Sequence, residues 1–177
     1  MSLDAEALYS LVVESVALRT ADLTPGTHVV DAFCGAGGSA IGFARRGKRV
    51  TAIDLRPDRL VMARHNATLF GVADRIEFMA GDALSLLPTI AADSIFLAPP
   101  WGGPEYARRP RFTMDCFTPS GRAILEAASR PDMALVMQVP RTFELEEFRR
   151  LGRPFTVVED RLGEELLSLT VLLPRQT

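Results

Sequence analysis

A chain of 177 residues with 47% hydrophobic side chains can bury a full core without disulfides or metals, and we expect one domain over 1–177, with an opening helix within 1–24 and a core over 25–177. Lys and Arg number 20 against 22 Asp and Glu, a formal charge of -2, which excludes a protein that grips nucleic acid by bulk basic charge; a nucleic-acid substrate would need a local patch. The two cysteines, Cys34 and Cys116, make neither a disulfide framework nor a metal-ligand spacing, and no apolar run approaches the roughly 20 residues that span a bilayer, so the expectation is no metal, no membrane and a reducing, cytoplasmic location.

Leu8, Leu11, Val12, Val16 and Leu18 recur near helical spacing and predict a helix over 4–19. Thr24-Pro25-Gly26 punctuates the chain, and 29–33 reads as a short buried strand followed by a glycine loop. A helix over 39–46, a strand over 49–53 and a helix over 57–70 with Pro57 in its first turn continue the pattern. A strand at 76–79, a short helix at 83–87, the apolar run Ser94-Ile95-Phe96-Leu97, a helix over 119–129 and a strand at 134–139 extend it. Strands alternating with helices imply a parallel sheet covered on both faces. The stretches 155–160 and 166–173 are strand-like but too close for a parallel crossover, which predicts an antiparallel hairpin at one side of the sheet.

Three acidic residues follow successive strands. Gly35-Ala36-Gly37-Gly38-Ser39-Ala40 matches G-x-G-x-x-A between a strand and a helix, and Asp54 ends the next strand, a pattern that by itself admits a dinucleotide site. Asp31, four residues before Gly35, favours S-adenosylmethionine, because a carboxylate there suits a positively charged amino group and sits poorly beside a pyrophosphate. In Gly81-Asp82-Ala83 a further carboxylate is placed to meet an adenine amino group. An Asp at a strand end is also a common cap or turn residue. Asn66 either faces the site from the second crossover helix or is solvated, and His28 and His65 are assigned no role.

Ala98-Pro99-Pro100-Trp101-Gly102-Gly103-Pro104 stops the strand before it, since each Pro lacks a donor and fixes φ. The lone Trp then stands on a stiff turn, either as a loop anchor or as a stacking platform for a flat ligand. Arg108, Arg109 and Arg111 follow closely, either to receive phosphates or as a solvated basic loop, and Arg141 after Val139-Pro140 is a weaker candidate.

Asp31-Ala32-Phe33-Cys34-Gly35-Ala36-Gly37-Gly38, Ala52-Ile53-Asp54-Leu55, Phe78-Met79-Ala80-Gly81-Asp82 and Pro99-Pro100-Trp101-Gly102-Gly103-Pro104-Glu105-Tyr106 closely resemble, in order and spacing, the RNA cap guanine-N2 methyltransferase (trimethylguanosine synthase) family. The resemblance implies an α/β, Rossmann-like, seven-stranded class I methyltransferase fold whose sixth and seventh strands are the C-terminal antiparallel hairpin. It implies S-adenosylmethionine as cofactor. Asp31, Ala32, Phe33, Cys34, Gly35, Gly37 and Gly38 would hold its methionine end, Asp54 beside Leu55 the ribose, and Asp82 with Ala83 the adenine; Asn66 is counted with this set. Ala98, Pro99 and Pro100 would orient the amine beside the transferred methyl, and Trp101 would stack a cationic 7-methylguanine, with Gly102 and the three arginines on the acceptor side. The chain departs from the family's Ser-Pro-Pro-Trp at Ala98, and it starts close to the opening helix, where the family's cap-binding enzymes carry a further segment, so a short stand-alone member is expected.

The expected activity is transfer of a methyl group from S-adenosylmethionine to the N2 amine of a guanine, in RNA or as a nucleotide. The alternatives are a small-molecule or protein side-chain acceptor, a non-catalytic nucleotide-binding relative, and a dinucleotide oxidoreductase. Oligomeric state is not legible.

Overall fold

Short apolar strands alternating with helices are satisfied by a parallel sheet between two helical layers, because strands buried on both faces must be covered twice. The computed structural model describes residues 1–2 and 12–176. In chain order the helices and strands are α1 (Glu14–Leu23), β1 (His28–Asp31), α2 (Gly38–Arg45), β2 (Arg49–Asp54), α3 (Pro57–Leu69), β3 (Ile76–Ala80), α4 (Ala83–Leu86), β4 (Ser94–Leu97), α5 (Gly121–Ala128), β5 (Ala134–Pro140), α6 (Glu146–Arg149), β6 (Thr156–Leu162) and β7 (Glu165–Leu173). The strands form one sheet in the order β3-β2-β1-β4-β5-β7-β6. The first five run parallel, while β7 is antiparallel to both β5 and β6. The terminal hairpin is therefore present, with β7 inserted between β5 and β6.

The opening helix differs from expectation. Leu8 and Leu11 lie outside the described residues, and within them the helix covers Glu14–Leu23, four residues past the predicted end. Packing explains the extension, since Val16, Ala17, Thr20 and Ala21 are buried. Gly42 of α2 permits the close approach, because a Cβ there would stand 2.9 Å from the Ala17 Cβ. The Thr24 hydroxyl then donates to Thr20 O at 2.7 Å, and Pro25 prevents continuation.

Alternation along the strands sorts the core into two layers. Val29, Val50, Ala52, Phe96 and Val136 pack with Ala21, Phe43, Leu60 and Ala63 of α1 to α3. Val30, Ile53, Ile95, Leu97, Leu135, Met137 and Val139 face the opposite way, toward Ile124 and Leu125 of α5 and Phe148 of α6. On this second face a row of aromatic rings runs Phe112, Phe117, Phe143, Phe148, Phe155, with successive centroids 4.9, 6.1, 5.4 and 5.8 Å apart.

The row also ties down the segment that follows the Trp101 turn. Phe112 N donates to Thr142 O at 3.0 Å and Glu144 N donates to Phe112 O at 2.9 Å, so residue 112 is stitched to the chain leaving β5. Phe112 itself is fully buried. Phe112→Ala should lower unfolding free energy by about 3 kcal/mol through lost burial and a residual cavity; a chemical-denaturation midpoint that does not move would contradict this anchoring role.

Candidate active site

The strand order reverses between β1 and β4, where one half of the sheet is wound toward β3 and the other toward β5. At such a switch point the loops leaving neighbouring strands part, and a crevice opens beyond their carboxyl ends. Asp31 ends β1, Asp54 ends β2, and Ala98 follows the end of β4, so the parallel register brings all three to one edge. Asp31 pairs with Phe96 of β4 and Ala52 of β2, in the middle of the sheet.

Asp31 is the least satisfied group in the described structure. It is 1% exposed, and neither carboxylate oxygen has a hydrogen-bond partner. Burial pushes its carboxyl up to about 7; nearby backbone at Phe33 and Ala40 opposes this without reaching hydrogen-bond geometry, and the negative charge of Asp54 adds to it. An uncompensated buried carboxylate is costly. A cationic ligand group removes that cost, and the α-ammonium of S-adenosylmethionine is such a group.

The loop after β1 approaches the site through its backbone. Gly35 (φ 52) and Gly37 (φ 91) take left-handed conformations, and a Cβ on Gly35 would meet nothing within 4 Å, leaving open space beside the loop. Gly37 is required for a different reason, since its Cβ would stand 3.2 Å from the Ala63 Cα of α3. The loop is tied to β2: Cys34 N donates to Ile53 O at 2.8 Å and Gly35 N to Asp54 Oδ2 at 2.9 Å. Asp54 Oδ1 accepts from Arg56 N at 2.9 Å. A carboxylate has about four acceptor positions, so Asp54 keeps capacity for ribose hydroxyls while holding the loop. Ala32 and Cys34 are buried, Phe33 and Gly38 are half-buried, and Leu55 is 71% exposed. Burial pushes the Cys34 thiol up, which keeps it protonated and unreactive.

Asn66 has a different place from the expected one. It is fully buried, and its Nδ2 donates to Ala36 O and to Ser2 O, both at 2.9 Å, while its Oδ1 accepts from Ser2 N at 2.6 Å. Its carboxamide holds the glycine loop from behind and joins it to the chain start, so it acts as a support. Asp82 is exposed and caps α4, accepting from Leu84 N at 3.1 Å and from the Ser85 hydroxyl at 3.0 Å. Ala83 beside it is buried in the core. His28 bridges Thr51 and Arg49.

On the acceptor side, Pro99 is buried and Pro100 exposed, with Ala98 half-buried before them. Trp101 is half-buried and meets Tyr106 edge to face, with centroids 4.9 Å apart and planes at 77°. Gly102 (φ 90) and Gly103 (φ 68) make the turn, and no atom lies where their side chains would project. Arg108 pairs with Glu105 at 3.3 Å and Arg111 with Glu144 at 3.0 Å. Arg109 reaches the Cys116 sulfur at 3.7 Å. These three arginines and Arg141 are exposed, and exposed pairs of this kind contribute little stability, so a ligand phosphate can exchange with the carboxylates.

The Asp31 carboxyl, raised in the folded state from an ordinary value of 3.8, destabilises the protein only when ionised. The penalty is absent below about pH 4, grows as pH rises to about 7 and is constant above that, reaching about 4 kcal/mol. Asp31→Asn should therefore melt higher than the native protein at pH 8, with the gap closing toward pH 4, while affinity for S-adenosylhomocysteine falls. Melting curves across this range test the sign; a gap that does not change with pH would show that Asp31 is compensated.

A family model for the RNA cap guanine-N2 methyltransferases matches residues 26–164. The chain is 30% identical over 161 residues to the trimethylguanosine synthase of Schizosaccharomyces pombe, covering 85% of this chain and 67% of that protein. It is 32% identical over 133 residues to the trimethylguanosine synthase of Saccharomyces cerevisiae, covering 71% of this chain and 42% of that one. Among solved structures, a methyltransferase from Geobacter sulfurreducens superposes with a TM-score of 0.65 at 21% identity over 95% of this chain and 81% of that one. An RNA methyltransferase from Salinibacter ruber, in complex with S-adenosyl-L-homocysteine, gives 0.60 at 22% identity over 93% and 91%. At those identities the likeness is one of fold, the class I methyltransferase fold. The family match, the relatives and the orphaned Asp31 agree: the chain belongs to the RNA cap guanine-N2 methyltransferase family and is an S-adenosylmethionine-dependent methyltransferase.

Proposed function

We propose that the protein methylates the exocyclic N2 amine of a guanine, in RNA or as a nucleotide. The observation that carries this reading is Trp101, held half-buried by Tyr106 on the Pro99-Pro100 turn, at the end of the strand next to Asp31. Bound S-adenosylmethionine supplies an electrophilic methyl on a sulfonium whose sulfur leaves as a neutral thioether. The chain then has two tasks: to hold the acceptor nitrogen in line with that methyl and to keep water out. Asp31 and the glycine loop fix the cofactor's methionine end, and Asp54 its ribose. Trp101 stacks the base, with cation–π attraction added if the base is 7-methylated. Backbone carbonyls at Ala98 and Pro99 are candidates to accept amine protons and aim the lone pair. No strong base is required, because the proton becomes acidic only as the N–C bond forms.

The chain spans 67% and 42% of the lengths of the two yeast relatives, so cap recognition itself belongs to the proposal. With a net charge of -2, a free or capped nucleotide is favoured over a long RNA contact, and Arg108 and Arg111 can exchange Glu105 and Glu144 for its phosphates.

Incubation with labelled S-adenosylmethionine and a panel of guanine nucleotides, 7-methylguanine cap analogues, capped RNA and total RNA tests the reading. Label on N2 of a guanine is expected; absence of transfer to every member would refute it. Trp101→Ala should weaken acceptor binding by about 1–3 kcal/mol with S-adenosylhomocysteine binding retained. Equal loss of both, together with a lower melting temperature, would mark the indole as a packing residue.

A further inference from the structure

The Pro-Pro turn offers no polar side chain at its first position, since residue 98 is Ala. The nearest strand does. Leu97 pairs with Met137, so continuing the register by one residue sets Ala98 beside Gln138 of β5. Both lie on the α1-to-α3 face: Phe96 and Val136, two residues earlier on each strand, pack there, as does Ala98. Asp31, two residues after Val29, is on that face as well. Gln138 therefore stands on the acceptor side of the same crevice edge, 8% exposed.

Its carboxamide is not free to turn. The Ser168 hydroxyl donates to Asp160 Oδ2 at 2.7 Å, and the Thr170 hydroxyl donates to the same oxygen at 2.8 Å. A carboxylate only accepts, so the single Ser168 proton is committed to Asp160, and Ser168 Oγ must accept from its other neighbour. That neighbour is Gln138 Nε2, at 3.0 Å. The amide nitrogen is thereby fixed toward β7 and the Oε1 points away from Ser168, where it meets no donor among the described residues. Asp160, Ser168 and Thr170 are each at most 3% exposed, so water does not compete for the network.

Resting on the guanine reading above, we propose that Gln138 is a specificity-determining residue whose Oε1 accepts an N–H of the acceptor's exocyclic amine, with Ser168 and Asp160 as the positioning residues that keep that oxygen turned outward. One amine proton held by Oε1 and the other by the turn's backbone leaves the nitrogen lone pair aimed between them. A base without the amine would leave Oε1 buried by the substrate and unpaired, so the site should discriminate guanine from hypoxanthine.

The test uses the whole chain carrying Gln138→Met, close in shape and without a carboxamide, and a second variant, Ser168→Ala, which releases the amide's orientation. Three readouts are needed: kcat/KM for the guanine acceptor, the preference for guanosine over inosine nucleotides in binding, and S-adenosylhomocysteine affinity. Gln138→Met is expected to lose at least tenfold in kcat/KM and most of the guanine preference, with S-adenosylhomocysteine affinity within twofold of native. Ser168→Ala is expected to move the same way by less. Native kcat/KM and native guanine preference in Ser168→Ala and in any folded Gln138→Met would overturn the proposal. Should Gln138→Met fail to bind S-adenosylhomocysteine, Ser168→Ala decides by the same criteria. Absence of transfer to any guanine by the native protein would instead overturn the reading on which this one rests, and the two failures are distinguishable.

Discussion

A carboxylate with no partner, buried at the centre of the sheet, is the constraint around which the site is arranged. Asp31 ends β1 between β2 and β4, where the switch in strand order parts the loops, and its charge is answered by no side chain among the described residues. Such a group is tolerated when a ligand supplies the missing charge. The surrounding architecture serves that purpose: Gly35 leaves room beside it, Asp54 holds the loop through Gly35 N, and Asn66 holds the loop from behind through Ala36 O. On the proposed reading, stability of the free protein is given up at this point in exchange for affinity toward a cation.

The acceptor side is built on the opposite principle, rigidity without charge. Two prolines end β4, two glycines turn the chain, and Tyr106 braces Trp101 at its edge. The loop that follows is then sewn back at Phe112, whose ring joins a row of aromatics reaching from the chain after β4 to β6. For the proposed stacking of a base on Trp101 this stiffness matters, since a mobile indole would lose in entropy what it gained in contact. The rings that continue the row past Phe117, at 143, 148 and 155, lie far from the turn in sequence.

The alternation of strands and helices and the acidic residue after each of the first strands were readable from periodicity and glycine placement, and the terminal hairpin followed from the short spacing between its strands. The identity of the cofactor could be argued because a buried anion before a glycine loop suits an ammonium and not a phosphate. What could not be read was which polar side chains have partners within the chain. Asp82 has the spacing of an adenine contact, and in space it also caps α4 through Leu84 and Ser85. Asn66 has the position of a site residue, yet its amide supports Ala36 and Ser2. Arg108 and Arg111 form a basic run on paper and are paired with Glu105 and Glu144 in space. The Gln138, Ser168, Thr170 and Asp160 network has no local signature, because its members come from three strands.

Period, turn chemistry and motifs confined to a few consecutive residues were enough for the fold class, the family and the cofactor. Strand pairing settled which carboxylate lacks a partner, which amide is locked and which aromatic rings pin the chain after the Trp101 turn. Those outcomes depend on hydrogen-bond accounting between strands paired in the order β3-β2-β1-β4-β5-β7-β6, and donors and acceptors distant in the chain cannot be matched until that pairing exists.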